Sequence, residues 1–428
     1  MKKIVSCFLA AFMLGALLTG CGGSGSDSSG EGASLGSGGG TLTLATNEDG
    51  AAMWEEIAQR FSQEHPDIQI EISPFVDYSA LNQNVMASHQ AGDDYDLIIV
   101  NHTDTLSFIK GELLYPIGDM VRERNIDVDS IIMGNLENMG KLGDMLYTIP
   151  INTDTRIMLV NTDLFAKYNL DIPATMDDML KAGKVMAGAN QGDYVFTDEM
   201  CTNGDYFSTY EAGIFLQSCG GQLYTVDENG AATATIDTPE MRNYLDFISE
   251  LLPYMPPDCT TNNDALAAFR EGNIGMYTFG PWEYSRMDLN ELSFGYKLVK
   301  VPAGPAGSVS TSGGFQLGVG SGSKNIALAL DFIDFLLNDS DSMMLIGMSG
   351  LPTVDSAYEQ GEFAGEKYEV FKEQLASSNV PQAPVANLGE VVACFTNYWN
   401  DMCVGNLSVE EVIRQAQPAV QKLLDENA

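Results

Sequence analysis

The chain has 428 residues, room for two or three domains at ~150 residues each. It carries 21 Lys+Arg against 59 Asp+Glu, a net charge of -38, and 45% apolar residues. That apolar share supports ordinary cores and is too high for a disordered chain. The negative field excludes a nucleic-acid surface and docking on anionic lipid through a basic patch.

Lys2 and Lys3 precede an apolar run from Ile4 to Leu18. The run is shorter than the ~20 residues a bilayer crossing needs and fits the core of a secretory signal. It ends in Leu18-Thr19-Gly20-Cys21, which resembles the bacterial lipobox, where the cysteine is acylated and becomes the first mature residue. Residues 1–20 are therefore expected to be a lipoprotein signal peptide and Cys21 a lipidation site. Cleavage would remove Lys2 and Lys3 and leave 19 basic against 59 acidic residues, a charge of -40. Residues 21–40 are almost wholly Cys21 followed by Gly, Ser, Ala and acid. Such a segment buries too little to offset its ordering entropy and reads as a tether.

The folded body starts at Thr41 with the short strand TLTLA, then a polar turn, Asn47-Glu48-Asp49-Gly50. Trp54, Ile57, Ala58 and Phe61 follow at helical spacing, and His65-Pro66 ends that helix. Ile68–Ile72 alternates as a strand, Leu81, Val85 and Met86 mark a second helix, and Asp96–Val100 is a continuous apolar strand. This β-α-β-α-β order predicts an open, mostly parallel sheet whose ligand crevice lies beyond the carboxyl ends of its strands. Two loops leave that edge: Asn47–Gly50, and Asn101-His102-Thr103-Asp104.

Further along, Thr148–Pro150 and Arg156–Val160 read as strands either side of a polar link. Leu223–Val226 and Ala231–Ile236 flank an Asn-Gly turn, a hairpin signal. Ile326–Leu337 has an apolar helical face, and Ser408 with Glu411 forms a capping box for the last helix, which contains Pro418. No internal repeat is visible.

Chemistry-bearing motifs are sparse. Three histidines, His65, His89 and His102, argue against a His-rich metal site, and no C-x-x-C suggests structural zinc. No metal and no cofactor is expected. With Cys7 and Cys21 set aside, Cys201, Cys219, Cys259, Cys394 and Cys403 are an odd number, so no complete disulfide framework exists. Cys394 and Cys403, nine apart on a helix, face opposite ways; a Cys201–Cys219 pair stays open. Neither a Gly-x-Ser-x-Gly elbow nor a His-Glu-x-x-His helix is present. The segment Gly318–Lys324 is glycine-rich without dinucleotide or P-loop spacing and reads as a turn. A hidden carboxylate pair would make the chain a glycoside hydrolase, but nothing in the sequence marks one.

A collinear series of fragments then carries a family resemblance. Phe61-x4-Pro66-Asp67-Ile68-x-Ile70 comes first, followed by Asp96-Leu97-Ile98 and Gly111-x-Leu113-x2-Pro116. Leu146-Tyr147-x2-Pro150 and Asn161-Thr162-Asp163-Leu164-Phe165 follow. Next is Ala268-Phe269-x2-Gly272-x3-Met276-x3-Gly280-Pro281-Trp282, with Gly275 where alanine is usual. Pro302-x-Gly304-Pro305-x-Gly307, Gly313-Gly314 and Ser323-Lys324-Asn325 close it. The order resembles the family-1 extracellular solute-binding proteins of ABC importers, the group that takes up sugars.

The resemblance implies an α/β, two-lobed periplasmic-binding-protein-like fold of type II. Each lobe would be a mostly parallel sheet flanked by helices, with the ligand cleft between them. Lobe 1 is expected at 41–151 plus 301–352 and lobe 2 at 152–300 plus 353–428. The implied function is capture of a neutral carbohydrate, not catalysis. The implied partners are that sugar and a permease pair with a cytoplasmic ATPase, on a monomer held outside the cell membrane by lipid on Cys21. A binder of a peptide, polyamine or organic anion is the alternative, and an anchored sensor or adhesin a further one.

Sugar rings pack their C–H faces on aromatic rings, and their hydroxyls need polar partners at about 1 kcal/mol net per hydrogen bond. By family position Trp282 would stack on the ligand, Asp154 would be the acidic contact, and Tyr206 a further aromatic. Asn101, His102 and Thr103 on one crevice loop, and Asn47 and Glu48 on the other, would read hydroxyls. Gly313 and Gly314 would let a crossover strand approach the ligand. Asn387 stands where a relative has a stacking tryptophan, which argues against a long maltodextrin.

Overall fold

In strand β1 (Gly40–Asn47) the alternating Leu42 and Leu44 turn into the core, and Ala45 and Thr46 are buried as well. The computed structural model describes residues 39–126, 128, 140–198, 213–227, 231–259, 264–348, 350–359, 361–379, 385 and 387–426. The signal, Cys21, most of the tether, Cys201, Tyr206 and the tip of the Asn-Gly turn lie outside them. Strand β2 (Ile68–Phe75) runs parallel to β1 with Leu42 opposite Ile70, and β3 (Leu97–Asn101) runs parallel on the other side. The β-α-β-α-β reading therefore holds, with β2 extending to Phe75 rather than ending at Ile72.

Two later strands complete this first sheet. Strand β4 is Thr148–Pro150, and β11 is Phe315–Val319. The order is β2-β1-β3-β11-β4, and only β11 runs against the rest. The helix Ala51–Glu64 buries Trp54, Ile57, Ala58 and Phe61, the four residues its period marks. It packs on the helix Ile326–Asn338, with the Phe61 and Phe332 rings perpendicular at 5.2 Å. Buried Asp96 accepts from the Thr43 amide at 2.9 Å and the Ser323 hydroxyl at 2.6 Å, tying β1 to the turn after β11. A Cβ at Gly320 would lie 2.0 Å from the Tyr95 carbonyl oxygen. Close backbone approach thus accounts for a glycine in that segment, which is a turn.

The second sheet holds β6 (Ile157–Asn161), β7 (Tyr194–Thr197), β8 (Ile274–Phe279) and β9 (Tyr296–Val299), in the order β9-β6-β8-β7. Only β6 runs against the others. Every residue of β8 is buried, as a strand covered on both faces requires. A Cβ at Gly275 would meet both the Phe165 ring and the Val195 carbonyl at 3.0 Å, so a close-packed phenyl ring takes the space of the usual alanine methyl.

Helices Met176–Gly188, Pro239–Leu251, Leu388–Cys403 and Val409–Asp425 share this sheet's core. The Ser408–Glu411 capping box forms reciprocally, and Pro418 lies within the last helix. Tyr224–Val226 and Ala232–Ala234 pair as the expected hairpin. Cys394 and Cys403 share one continuous helix, and both pack in part against this core. Cys219 is a free thiol, pushed up to about 12 by burial.

A third, small sheet joins the two large ones. It contains β5 (Asn152–Thr155), β10 (Ser310–Gly313), β12 (Leu351–Pro352) and β13 (Ser378–Asn379), in the order β12-β5-β10-β13. The chain leaves the first sheet at β4, passes through β5 and enters β6. It returns from β9 through β10 into β11. Threonine hydroxyls tie the crossing together: Thr153 donates to the Gly313 carbonyl at 3.0 Å, Thr155 to Thr311 at 3.1 Å and Thr353 to Pro150 at 3.1 Å. The segment read from sequence as a polar link is thus a paired strand, too short and too polar to give an apolar strand signal.

Candidate functional site

Strand side chains alternate, so Asn152, Asp154 and Arg156 share one face of β5 and its continuation. Arg156 donates to Asp154, and their side chains are only 8% and 18% exposed. Gly313 lies opposite Asp154 across the β5–β10 pair. A Cβ there would stand 3.1 Å from an Asp154 carboxylate oxygen and 3.2 Å from His102 Cε1, so a side chain would crowd both. Gly314 has φ +141°, and a Cβ on it would fall 2.2 Å from the Asn152 carbonyl oxygen. Only glycine fits there.

His102 comes to the same place from the loop after β3. Its amide donates to the Gly314 carbonyl at 3.1 Å. Burial lowers the imidazole to about 4; the Asp154 charge and the Gly314 carbonyl raise it in part, and Arg156 opposes them. The ring is therefore neutral at pH 7. Its neighbours in the loop are used locally. The Asn101 carboxamide oxygen accepts from the Thr103 amide at 3.1 Å and hydroxyl at 3.0 Å, which fixes the turn. The Asn82 amide donates to Asp104, whose burial raises it above the usual carboxylate range.

Trp282 arrives from the other sheet. Phe279 at the end of β8 pairs with Ile157, so the following Gly280-Pro281-Trp282 turn lies beside Arg156. The indole folds back over Gly280, where a Cβ would be 2.2 Å from the ring. The Arg156 guanidinium carbon sits 4.7 Å from the ring centroid, within cation–π range. The indole N–H donates to Glu283 at 3.1 Å, and buried Glu283 also accepts from the Tyr277 hydroxyl at 3.2 Å and Arg286 at 2.9 Å. Trp282 is half-buried and held at both its edge and its face.

At the first-sheet end stands an aromatic pair. Phe315 opens β11 opposite Asn101, at the carboxyl edge of β3. Its amide donates to the Asn152 carboxamide oxygen at 2.8 Å. The Tyr78 ring stacks on it at 4.8 Å and 18°, and both residues are half-buried. The Tyr78 hydroxyl is raised by burial and by Asp49 of the first crevice loop. On that loop Asn47 ends β1 and Glu48 is exposed in a single 3-10 turn.

Asp154, His102, Gly313, Gly314 and Trp282 thus meet around one crossing strand. Asn101 and Thr103 shape the adjoining loop, and Asn47 and Glu48 stand at the neighbouring strand end. The Asn387 amide donates to the Leu423 carbonyl at 2.9 Å, between the last two helices. Sequence reasoning missed Arg156, Asn152, Tyr78 and Phe315. The polar alternation Asn152-x-Asp154-x-Arg156 was a usable signal for the first two. Tyr78 and Phe315, far apart in sequence, offered none.

Asp94 and Ser321 both approach His89 Nδ1, at 2.8 and 3.4 Å, so one nitrogen faces both and no Ser-His-Asp relay exists there. Among the described residues no group of three or more His, Cys, Asp or Glu could hold a metal ion, and no helix is long and apolar enough to cross a membrane.

Two mixed sheets joined by paired crossover strands, with polar and aromatic side chains gathered at the crossing, define a two-lobed α/β binding protein. The Bacterial extracellular solute-binding protein family matches residues 45–343, and the chain belongs to that family. It is 26% identical over 251 residues to a Probable ABC transporter-binding protein of Deinococcus radiodurans, covering 55% of this chain and 59% of that relative. The alignment therefore spans less than two thirds of that relative's length. A Melibiose/raffinose/stachyose-binding protein, MelE of Bacillus subtilis, is 22% identical over 350 residues and 77% of each chain. Maltose-bound MalE3 of T. maritima superposes with a TM-score of 0.74 at 21% identity, over 90% of this chain and 99% of that one.

Proposed function

We propose that the protein is the substrate-binding lipoprotein of an ABC importer. It captures a neutral carbohydrate between its lobes and delivers it to a membrane permease. The lobes are taken as 41–151 plus 301–352 and 152–300 plus 353–428, with residues 21–40 tethering a monomer to lipid on Cys21. One observation carries the sugar reading. Three hydrogen-bonding side chains stand in a row on one face of the crossing strand, with an indole at one end of it. Hydroxyls need the first and a sugar's C–H face needs the second. Closing the lobes desolvates both, so a ligand lacking a hydroxyl leaves a buried polar group unpaired. The ligand favours the closed state because it touches both lobes.

Purified protein is screened by thermal shift against mono- and oligosaccharides, amino acids, peptides and polyamines. A sugar at ~100 times its Kd should stabilise the fold by ~2.7 kcal/mol. A shift caused only by peptides or cations overturns the sugar reading. Mass spectrometry of the mature N-terminus tests the anchor: Cys21 should carry acyl chains, and Cys21→Ala should release the protein to the medium. An unmodified Cys21 overturns the tether.

A further inference from the structure

From the bonds that gather behind the Gly280-Pro281-Trp282 turn, we infer that Glu283 is a positioning residue for ligand capture. Its buried carboxylate sets the orientation in which the Trp282 indole meets the sugar. This rests on the sugar reading above and adds the group that prepares the ring before the ligand arrives.

The Glu283 side chain is only 3% exposed. Burying a carboxylate is costly unless hydrogen bonds compensate. Here one oxygen, Oε1, collects three donors: the Trp282 indole N–H at 3.1 Å, the Tyr277 hydroxyl at 3.2 Å and the Arg286 guanidinium at 2.9 Å. An amide oxygen offers two lone-pair sites and brings an NH2 that faces donors, whereas an anionic oxygen suits three donors at once. The donors also differ in origin. Trp282 belongs to the turn, Arg286 ends the short helix Glu283–Arg286, and Tyr277 lies within β8, where it is buried. The carboxylate therefore ties the indole edge to the floor of the second sheet. The next residue is fixed as well, because the Tyr284 hydroxyl donates to the Lys367 carbonyl at 2.8 Å on the helix Glu366–Leu375.

Packing alone gives no reason for a charge at this position. The side chains around Tyr277 and Phe279 form an apolar cluster, and an uncharged residue of similar volume is commonly as stable as a buried ion there. What the carboxylate adds is direction. A tryptophan has side-chain torsions that must be ordered when a ring is stacked on it. With its edge held by Glu283 and its face approached by Arg156 at 4.7 Å, that ordering is complete in the unliganded protein.

The test joins a signature of the bond to a double-variant cycle on affinity. In NMR spectra of the full mature protein the three tryptophans give three indole N–H resonances, and Trp282→Phe identifies its own by loss. Glu283→Gln should speed deuterium exchange at the Trp282 indole about 5-fold while Trp54 and Trp399 keep their rates. A general loosening of the fold would speed all three and overturn the inference. Calorimetric titration with glucose, galactose, maltose, melibiose and raffinose then reads affinity. For the sugar that the parent binds most tightly, Glu283→Gln should weaken binding about 5-fold. Glu283→Met, uncharged and of similar length, is the second variant and should act in the same way. In a Trp282→Phe background, which keeps a ring but lacks the N–H, Glu283→Gln should cost less than about 2-fold more. Thermal unfolding of each ligand-free variant separates loss of fold from loss of orientation. Equal weakening in both backgrounds, or unchanged affinity in folded Glu283→Gln, overturns this inference and leaves the sugar reading standing. No binding of any of these sugars overturns both.

Discussion

Replacing Asp154 by asparagine keeps the side chain's shape and removes its charge. Arg156 is 8% exposed, so its cation loses a carboxylate in a place where little water can substitute. Removing one member of a fully buried pair costs ~3–5 kcal/mol. Two features reduce that figure here. Asp154 is 18% exposed, and the asparagine oxygen still accepts from the guanidinium. We therefore expect ~2 kcal/mol, about 30-fold in the folding equilibrium. The assay is urea unfolding followed by tryptophan fluorescence at pH 7.5, on the parent, Asp154→Asn, Arg156→Met and the double variant. The double variant buries neither charge, so its cost should fall below the sum of the two single costs by ~2 kcal/mol. Single effects that add to within ~0.5 kcal/mol would refute the reasoning, because independent sites behave that way.

Gly314→Ala should destabilise the fold by ~3 kcal/mol or more, since its Cβ meets backbone at 2.2 Å and its φ is +141°; near-parental urea stability would contradict this. Gly313→Ala meets side-chain atoms at 3.1 Å and should fold while shifting ligand affinity, the opposite pattern in the same two assays. His102 falls from ~6.5 unfolded to about 4 folded, so the unfolded chain takes its proton first. Its contribution is complete above pH ~6.5 and lost as pH falls toward 4, by ~2 kcal/mol at pH 5. His102→Gln should lack that slope, and parallel profiles between pH 7 and 4.5 would remove His102 as its source. Trp282→Ala should weaken the bound sugar about tenfold, ~1.4 kcal/mol, without unfolding the protein; unchanged affinity would assign the ring to structure alone.

The first sheet was largely legible because local patterns report it. The 3.6 period of Trp54, Ile57, Ala58 and Phe61 and the all-apolar run at Leu97–Val100 each specify an element with only local information, as the Ser408–Glu411 box does for the last helix, on the second sheet's core. The candidate site was legible in part, and chiefly through resemblance. Trp282, Asp154 and His102 were marked and do meet at one crossing. Asn387 was marked by position alone, and its bond to Leu423 on the last helix left no sequence signal.

By itself, the sequence determined the acidic charge, the alternating α/β order and the candidate crevice loops. Those depend on composition and on neighbours within a few residues. Only the tertiary structure decided which side chains share the crossing. Phe315 reaches Asn152 across 163 positions, and Gly313 faces Asp154 because two short strands pair in register. The segment Asn152–Arg156 is too short and too polar to announce itself as a strand. Its role exists only once pairing with β10 puts Asn152, Asp154 and Arg156 on one face, between the Tyr78–Phe315 stack and Trp282.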